Sequence, residues 1–252
     1  MSTGAPALAV LWPAGRAGDV LPGEDAGRGE PALRALYAPP AGADRWVRGN
    51  MVSTLDGAAW GPDGSTRSIS SPADLRVLVL LRALADVVLV GAGTVRSERY
   101  GLPGAGTALA VVTRTGDLPA GQGLLAGERD DGRTALVITC AAAGDHVLDR
   151  LREAVGEDAV LVAGQDAVDL PRALDLLAER GLRSVLCEGG PALLADVLAA
   201  DLLDELCLTW SPQLGGGAAG RLLPPGPALG RAARLAHLLH GGGTLAGRWL
   251  LR

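Results

Sequence analysis

The strongest constraint on this chain is a repeated transition, in which a short apolar run stops on glycine. Val87-Val88-Leu89-Val90 runs into Gly91-Ala92-Gly93-Thr94, and Val185-Leu186-Cys187 runs into Glu188-Gly189-Gly190-Pro191. A third run, Trp46 to Thr54, leads to the turn-forming pair Asp56-Gly57. Short apolar runs bounded by turn signals fit strands that are covered on both faces, as in parallel sheets. With parallel strands, all three transitions fall at the carboxyl edge, where open α/β sheets take their ligands.

Helix signals alternate with these strands. Ser71 as N-cap, Pro72 at N1 and Asp74 at N3 open a helix that should run to about Ala85, with Leu75, Leu78, Val79, Leu81 and Leu84 as its apolar face. Further helices are expected over Thr94–Glu98, Asp145–Val155, Asp169 to about Arg180, and Pro191–Ala199. Strands are expected over Leu109–Thr113, Thr134–Thr139, Ala159–Ala163 and Glu205–Trp210. Arg234–His240 and Thr244–Leu251 read as a hairpin across Gly241-Gly242-Gly243. Two stretches, Gly116 to Arg133 and Gly215 to Gly230, read as connections. The pattern is α/β: a mostly parallel, mixed sheet flanked by helices, with a C-terminal antiparallel hairpin. Residues 1–44, rich in Pro, Gly and Ala, read as an N-terminal arm, partly disordered at its start, with a short helix over Glu30–Tyr37. Residues 45–252 read as one domain.

Composition removes several classes of function. The net charge of −5 and the scattered arginines leave no basic stripe for nucleic acid. No apolar run is long enough to span a bilayer and the start lacks a basic-then-apolar pattern, so a soluble cytoplasmic protein is the expectation. Cys140, Cys187 and Cys207 lack metal-ligand spacing, as do His146, His237 and His240, so no metal is expected. There is no Gly-x-Ser-x-Gly elbow. All 23 basic residues are arginine, which excludes a P-loop lysine and a Schiff base. Any phosphate must meet arginine, backbone amides or helix N-termini.

Four features carry chemistry. Gly91-Ala92-Gly93 and Gly189-Gly190 allow backbone amides close to an anion and together suit a dinucleotide pyrophosphate; tight strand-to-helix packing would use the same glycines. The full Rossmann fingerprint is absent, because Arg96 stands where its third glycine belongs. Arg114, flanked by Thr113 and Thr115, suits the 2′-phosphate of NADP, or simply a solvated surface. Asp56 and Glu188 are two carboxylates at the same expected edge, placed for proton transfer or for holding hydroxyl and amino groups.

Five blocks in order resemble the riboflavin-pathway pyrimidine reductases. They are Asn50-Met51-Val52-Ser53-Thr54-Leu55-Asp56-Gly57; Ile69-Ser70-Ser71-Pro72; Leu81-Arg82-Ala83-Leu84-Ala85-Asp86; Val90-Gly91-Ala92-Gly93-Thr94-Val95; and Glu188-Gly189-Gly190-Pro191 followed by Leu203-Asp204-Glu205-Leu206. The resemblance covers roughly Trp46 to the C-terminus. Ala35-Leu36-Tyr37-Ala38-Pro39-Pro40 resembles a stand-alone, actinobacterial-type subgroup. No zinc deaminase signature is present, which leaves the reductase activity alone.

The resemblance implies a dihydrofolate-reductase-like fold, NADPH as cofactor, and a homodimer. The implied reaction delivers hydride to C1′ of the sugar, converting a ribosylamino pyrimidine 5′-phosphate to the ribitylamino form. It implies catalytic roles for Asp56, as proton donor or orienter, and for Glu188. Asn50, Thr66, Arg82 and Glu188 fall at substrate positions, with Arg82 suited to the phosphate. Val52, Ser68, Gly91, Gly93, Thr94, Glu98, Arg114, Gly189 and the stretch from Gly190 to Asp196, with Pro191, Leu193 and Leu194 in it, fall at cofactor positions. Three departures stand out: Asn50 where bifunctional bacterial members carry lysine, Ser68 where some carry tryptophan, and Glu98-Arg99-Tyr100-Gly101 in place of an Asp-Asp-Pro segment. A relative turned to another small substrate, such as dihydrofolate, and a non-catalytic nucleotide-binding or sensor protein are the two other readings.

Overall fold

The computed structural model describes residues 5–23, 30–98, 100–104, 106–118, 135–217 and 219–251. Most of the long connection expected after Gly116 lies outside the described residues, as does Arg99. The chain divides into two compact units: Met1–Ala43, Arg48–Leu84 and Leu203–Arg252 in the first, Asp44–Val47 and Ala85–Leu202 in the second.

The second unit holds the parallel strands. β4 (Val87–Gly91), β5 (Ala108–Val112), β6 (Ala135–Thr139), β7 (Val160–Val162) and β8 (Ser184–Cys187) lie in the order β8-β4-β5-β6-β7, and every described pair among them is parallel. Val87 to Val90 are all buried. Successive side chains point to opposite faces, so both faces of β4 are covered, as its unbroken apolar run requires. The flanking helices are α3 (Ala92–Glu98), α4 (Asp145–Val155), α5 (Leu170–Glu179) and α6 (Pro191–Ala199). α5 is capped by Asp169, whose carboxylate accepts from the amide of Arg172 at 3.0 Å. Asp86, at the end of the third resemblance block, is structural: its carboxylate accepts from the amides of Arg183 (2.9 Å) and Ser184 (2.7 Å) and so pins the start of β8.

The first unit carries β1 (Leu8–Trp12), β2 (Val20–Leu21), β3 (Trp46–Thr54), β9 (Glu205–Ser211), β10 (Arg234–Gly241) and β11 (Thr244–Leu250), in the order β2-β1-β10-β11-β9-β3. β3 and β9 are parallel, and β9, β11, β10 and β1 are joined antiparallel. The expected hairpin is therefore present. The N-terminal segment also enters this sheet, with Ala9 opposite His240. The helix α1 (Pro31–Tyr37) follows the expected span closely.

The second helix of this unit, α2 (Pro72–Ala83), starts as expected. The Ser71 hydroxyl accepts from the Asp74 amide at 3.2 Å, and Ser70 donates to the Asp74 carboxylate at 2.6 Å. Its buried face is a correction. Ala73, Val77, Leu80 and Leu81 are buried, whereas Leu75 and Val79 are 54% and 58% exposed. Apolar residues surround this helix, so periodicity alone could not choose the inner face. Arg76 is buried instead and uses all five of its N–H donors. Two go to the Glu30 carboxylate (2.7 and 2.6 Å) and three to the carbonyls of Pro6, Leu21 and Pro22.

Candidate active site

In the second unit, a cleft of about 760 Å³ opens where β4 and β5 end. Gly91, Ala92 and Gly93 form one wall, Val112 to Thr115 another, and the start of α5 and one side of α6 most of the rest. Of the expected cofactor residues, the structure brings Gly91, Gly93, Arg114 and Leu193 to this cleft. Asp196, in the Gly190–Asp196 stretch that the resemblance sets at the cofactor, also lines it, as does Arg96, which the sequence did not single out as a ligand residue. Arg114 is exposed and has no side-chain partner among the described residues. Arg96 donates to the Asp117 carbonyl at 2.7 Å.

The glycines follow from close approach. A Cβ at Gly190 would lie 2.8 Å from the Thr94 hydroxyl oxygen, so a side chain there would collide with the first turn of α3. Gly189 has a φ of +74° and accepts from the Gly91 amide at 2.7 Å, which joins the ends of β4 and β8. Pro191 opens α6. Leu193 is buried at the cleft wall, whereas Leu194 is fully buried in the core. Glu98 ends α3.

Glu188 follows β8 directly. Its amide donates to the Leu89 carbonyl at 3.0 Å, which fixes its backbone against β4. Its half-buried carboxylate accepts the hydroxyl of Tyr100, 88 residues away in sequence. That pairing had no local signal.

In the first unit, the period of two along β3 places Asn50, Val52 and Thr54 on one face of the strand, which ends two residues before Asp56. Thr54 donates to Asp56 Oδ1 at 2.5 Å; the amides of Gly215 and Gly216 donate to Oδ1 and Oδ2, each at 2.8 Å. Gly216 and Gly217, which follow these two amides, have φ values of +57° and +63°, a backbone region that glycine adopts without strain. Led by the Thr54 hydroxyl, these bonds hold the Asp56 carboxyl well below the usual carboxylate range. Asp56 is therefore a fixed anion on an exposed edge, and the glycine run read as a loop is its cradle.

Thr66 opens a short turn ending at Ser68, whose hydroxyl donates to Asp63 at 2.5 Å. Gln213, which the sequence did not mark, donates to the Ser68 carbonyl and the Ser211 hydroxyl, both at 3.1 Å, and so ties that turn to the Asp56 cradle. Arg82 lies in the last turn of α2. Among the described residues no His, Cys, Asp and Glu cluster could hold a metal ion.

The pattern of the RibD C-terminal domain matches residues 45–248. The chain belongs to the RibD C-terminal domain family. Two relatives named 2,5-diamino-6-ribosylamino-4(3H)-pyrimidinone 5′-phosphate reductase support this. The one from Archaeoglobus fulgidus is 27% identical over 67% of this chain and 80% of its own length. That from Methanothermobacter thermautotrophicus is 29% identical over 73% and 85%. A pyrimidine reductase-like protein from Corynebacterium diphtheriae shares the fold with a TM-score of 0.77 at 22% identity, covering 87% of this chain and 98% of its own. The α/β architecture with its antiparallel hairpin is thus that of a RibD C-terminal domain.

Proposed function

We propose that this RibD C-terminal domain protein reduces the ribosylamino side chain of a (di)aminopyrimidine 5′-phosphate to the ribitylamino form, in riboflavin biosynthesis, at the expense of NADPH. The family match, with relatives named for that reductase, carries the reading.

When bound, NADPH supplies the hydride that reaches C1′ of the sugar. The second unit fits it: a cleft lined by Gly91 and Gly93, a Gly190 that no larger residue could replace without meeting Thr94, and an arginine without a protein partner among the described residues. Gly91, Gly93, Thr94, Glu98, Gly189, Gly190, Pro191 and Leu193 would hold the dinucleotide, and Arg114 its 2′-phosphate, whereas Leu194, sealed in the core, has no side-chain surface to offer it. Glu188 would accept N–H groups of the pyrimidine. In the first unit, Val52 and Ser68 would contact cofactor, Asn50 and Thr66 substrate, and Arg82 its phosphate. Of the two roles open to Asp56, orienter is the one its hydrogen bonds favour, since a carboxylate held as an anion has no proton to donate at neutral pH.

The test is turnover. Purified protein with NADPH should consume it in the presence of the ribosylamino pyrimidine phosphate, amino or deaminated, and not with dihydrofolate. No oxidation with either pyrimidine overturns the reading. The same reading makes the chain a cytoplasmic homodimer; a monomer mass by light scattering would remove the dimer.

A further inference from the structure

We propose that Arg221 is a phosphate-binding residue: its guanidinium, held over the Asp56-Gly57 turn, takes the 5′-phosphate of the substrate. This rests on the reading above, in which Asp56 orients the sugar that is reduced. No sequence motif marked Arg221, which stands in the connection from Gly215 to Gly230.

The backbone around Arg221 is set before any ligand arrives, which lowers the ordering cost of binding. Arg221 pairs with Ala58 in an antiparallel bridge. The Ala59 amide donates to the Gly220 carbonyl at 2.7 Å, and the Leu222 amide to that of Gly57 at 3.3 Å. Gly220 lies flat on the Trp60 indole, where a Cβ would come 2.1 Å from Cη2 of the ring. From this anchor the guanidinium reaches back over the turn. Nη1 donates to the Asp56 carbonyl at 3.4 Å, and a Cβ at Gly57 would meet Nη2 at 3.0 Å. The Asp56 carboxylate is held by Thr54, Gly215 and Gly216, so Arg221 is not spent as its counter-ion. Among the described residues the long contact with the Asp56 carbonyl is the only hydrogen bond of this side chain, and a guanidinium has five donors. Arg221 is exposed. So are Leu55 (58%) and Leu214 (79%), the residues before Asp56 and before its Gly215 donor, which leaves this edge open to a ligand. Chemistry then selects the ligand. Guanidinium N–H groups match the oxygens of a phosphate monoester in pairs. The cation stands at the backbone of Asp56 rather than at its carboxylate, as the substrate's phosphate stands at the far end of the sugar from C1′. The phosphates of the cofactor are accounted for in the second unit by the glycine transitions and Arg114. A phosphate monoester carries about two negative charges at neutral pH, so Arg221 adds to Arg82 rather than replacing it.

The experiment compares wild type, Arg221→Ala and Arg221→Lys with two probes: the ribitylamino product bearing its 5′-phosphate, and the same compound without it. Each is measured by titration calorimetry and as an inhibitor of turnover, with NADPH affinity and Tm alongside. Arg221→Ala should weaken binding of the phosphorylated product about ten- to a hundredfold, the worth of a charged hydrogen bond, and raise the pyrimidine KM in step. The phosphate-free product should bind all three proteins alike, and NADPH affinity and Tm should hold. Arg221→Lys should recover part of the loss, since it keeps the charge without the paired geometry. It also serves as the folded comparison if Arg221→Ala lowers Tm. Unaltered binding of the phosphorylated product in Arg221→Ala overturns the proposal. Equal losses for the two products overturn it too, because they mark a tether of the Asp56 turn. So does a loss confined to NADPH, which assigns the arginine to the cofactor's phosphates. Failure of the parent reading looks different: wild type itself then binds neither product and oxidises no NADPH with the pyrimidine, and the proposal falls with it.

Discussion

Asp56 is exposed at the end of a strand, yet its two carboxylate oxygens accept three hydrogen bonds, from Thr54, Gly215 and Gly216. A group whose folded pKa is depressed stabilises the fold above its ordinary pKa, and that contribution is lost only as pH falls through the lower folded value. The Asp56 cradle should therefore survive mild acid. Turnover should show no loss as pH rises through the ordinary carboxylate range, about 4, a loss that a proton donor at Asp56 would produce. A pH–rate profile checks this. Arg114 makes a separate claim. Arg114 lines the cleft, and a charged hydrogen bond contributes roughly 1.5–3 kcal/mol. Arg114→Ala should raise the NADPH Kd about ten- to a hundredfold and leave NADH binding unchanged, as measured by fluorescence titration.

Among the elements, α2 shows how a helix can do more than bury an apolar stripe. Its Arg76 gathers the N-terminal segment through Glu30 and three carbonyls. Removing one partner of a buried pair leaves the other uncompensated, at a cost of about 3–5 kcal/mol. Arg76→Met should lose stability of that order in urea unfolding, and adding Glu30→Gln should recover a large part of it. The elements themselves were largely legible. α4 and β8 follow the spans read from the sequence, because Gly156 closes the first and Glu188-Gly189 ends the second. β1 was not legible. Leu8–Trp12 is a short apolar run with no alternation, and its partner β10 lies more than two hundred residues away.

At the scale of a whole unit, the first is centred on a buried ion cluster. Glu205 is flanked by Arg48 and Arg248, whose other donors reach the carbonyls of Leu36, Tyr37 and Ala38 at the end of α1. His237 stacks edge-on to Tyr37 at 4.5 Å. Burial first, then Arg248, Arg48 and Arg16, push its pKa down to about 3. The imidazole stays neutral in the fold while the unfolded chain takes a proton below its ordinary pKa, so stability is complete above about 6.5 and falls as pH drops toward the folded value. The expected slope is about 1.4 kcal/mol per pH unit from this group, and His237→Gln should remove that share. Denaturant unfolding at several pH values measures it.

The sequence by itself determined the alternation of strand and helix, the caps, the glycine transitions and the family, because each is written in neighbouring residues. Tertiary structure alone decided which face of α2 is buried, what holds the Asp56 carboxylate, and which side chain reaches Glu188. Each of those depends on a partner far along the chain. Asp56 meets Gly215 across 159 residues and Tyr100 meets Glu188 across 88. Local patterning carries propensity and periodicity; it does not carry the distance between two atoms that only folding brings together.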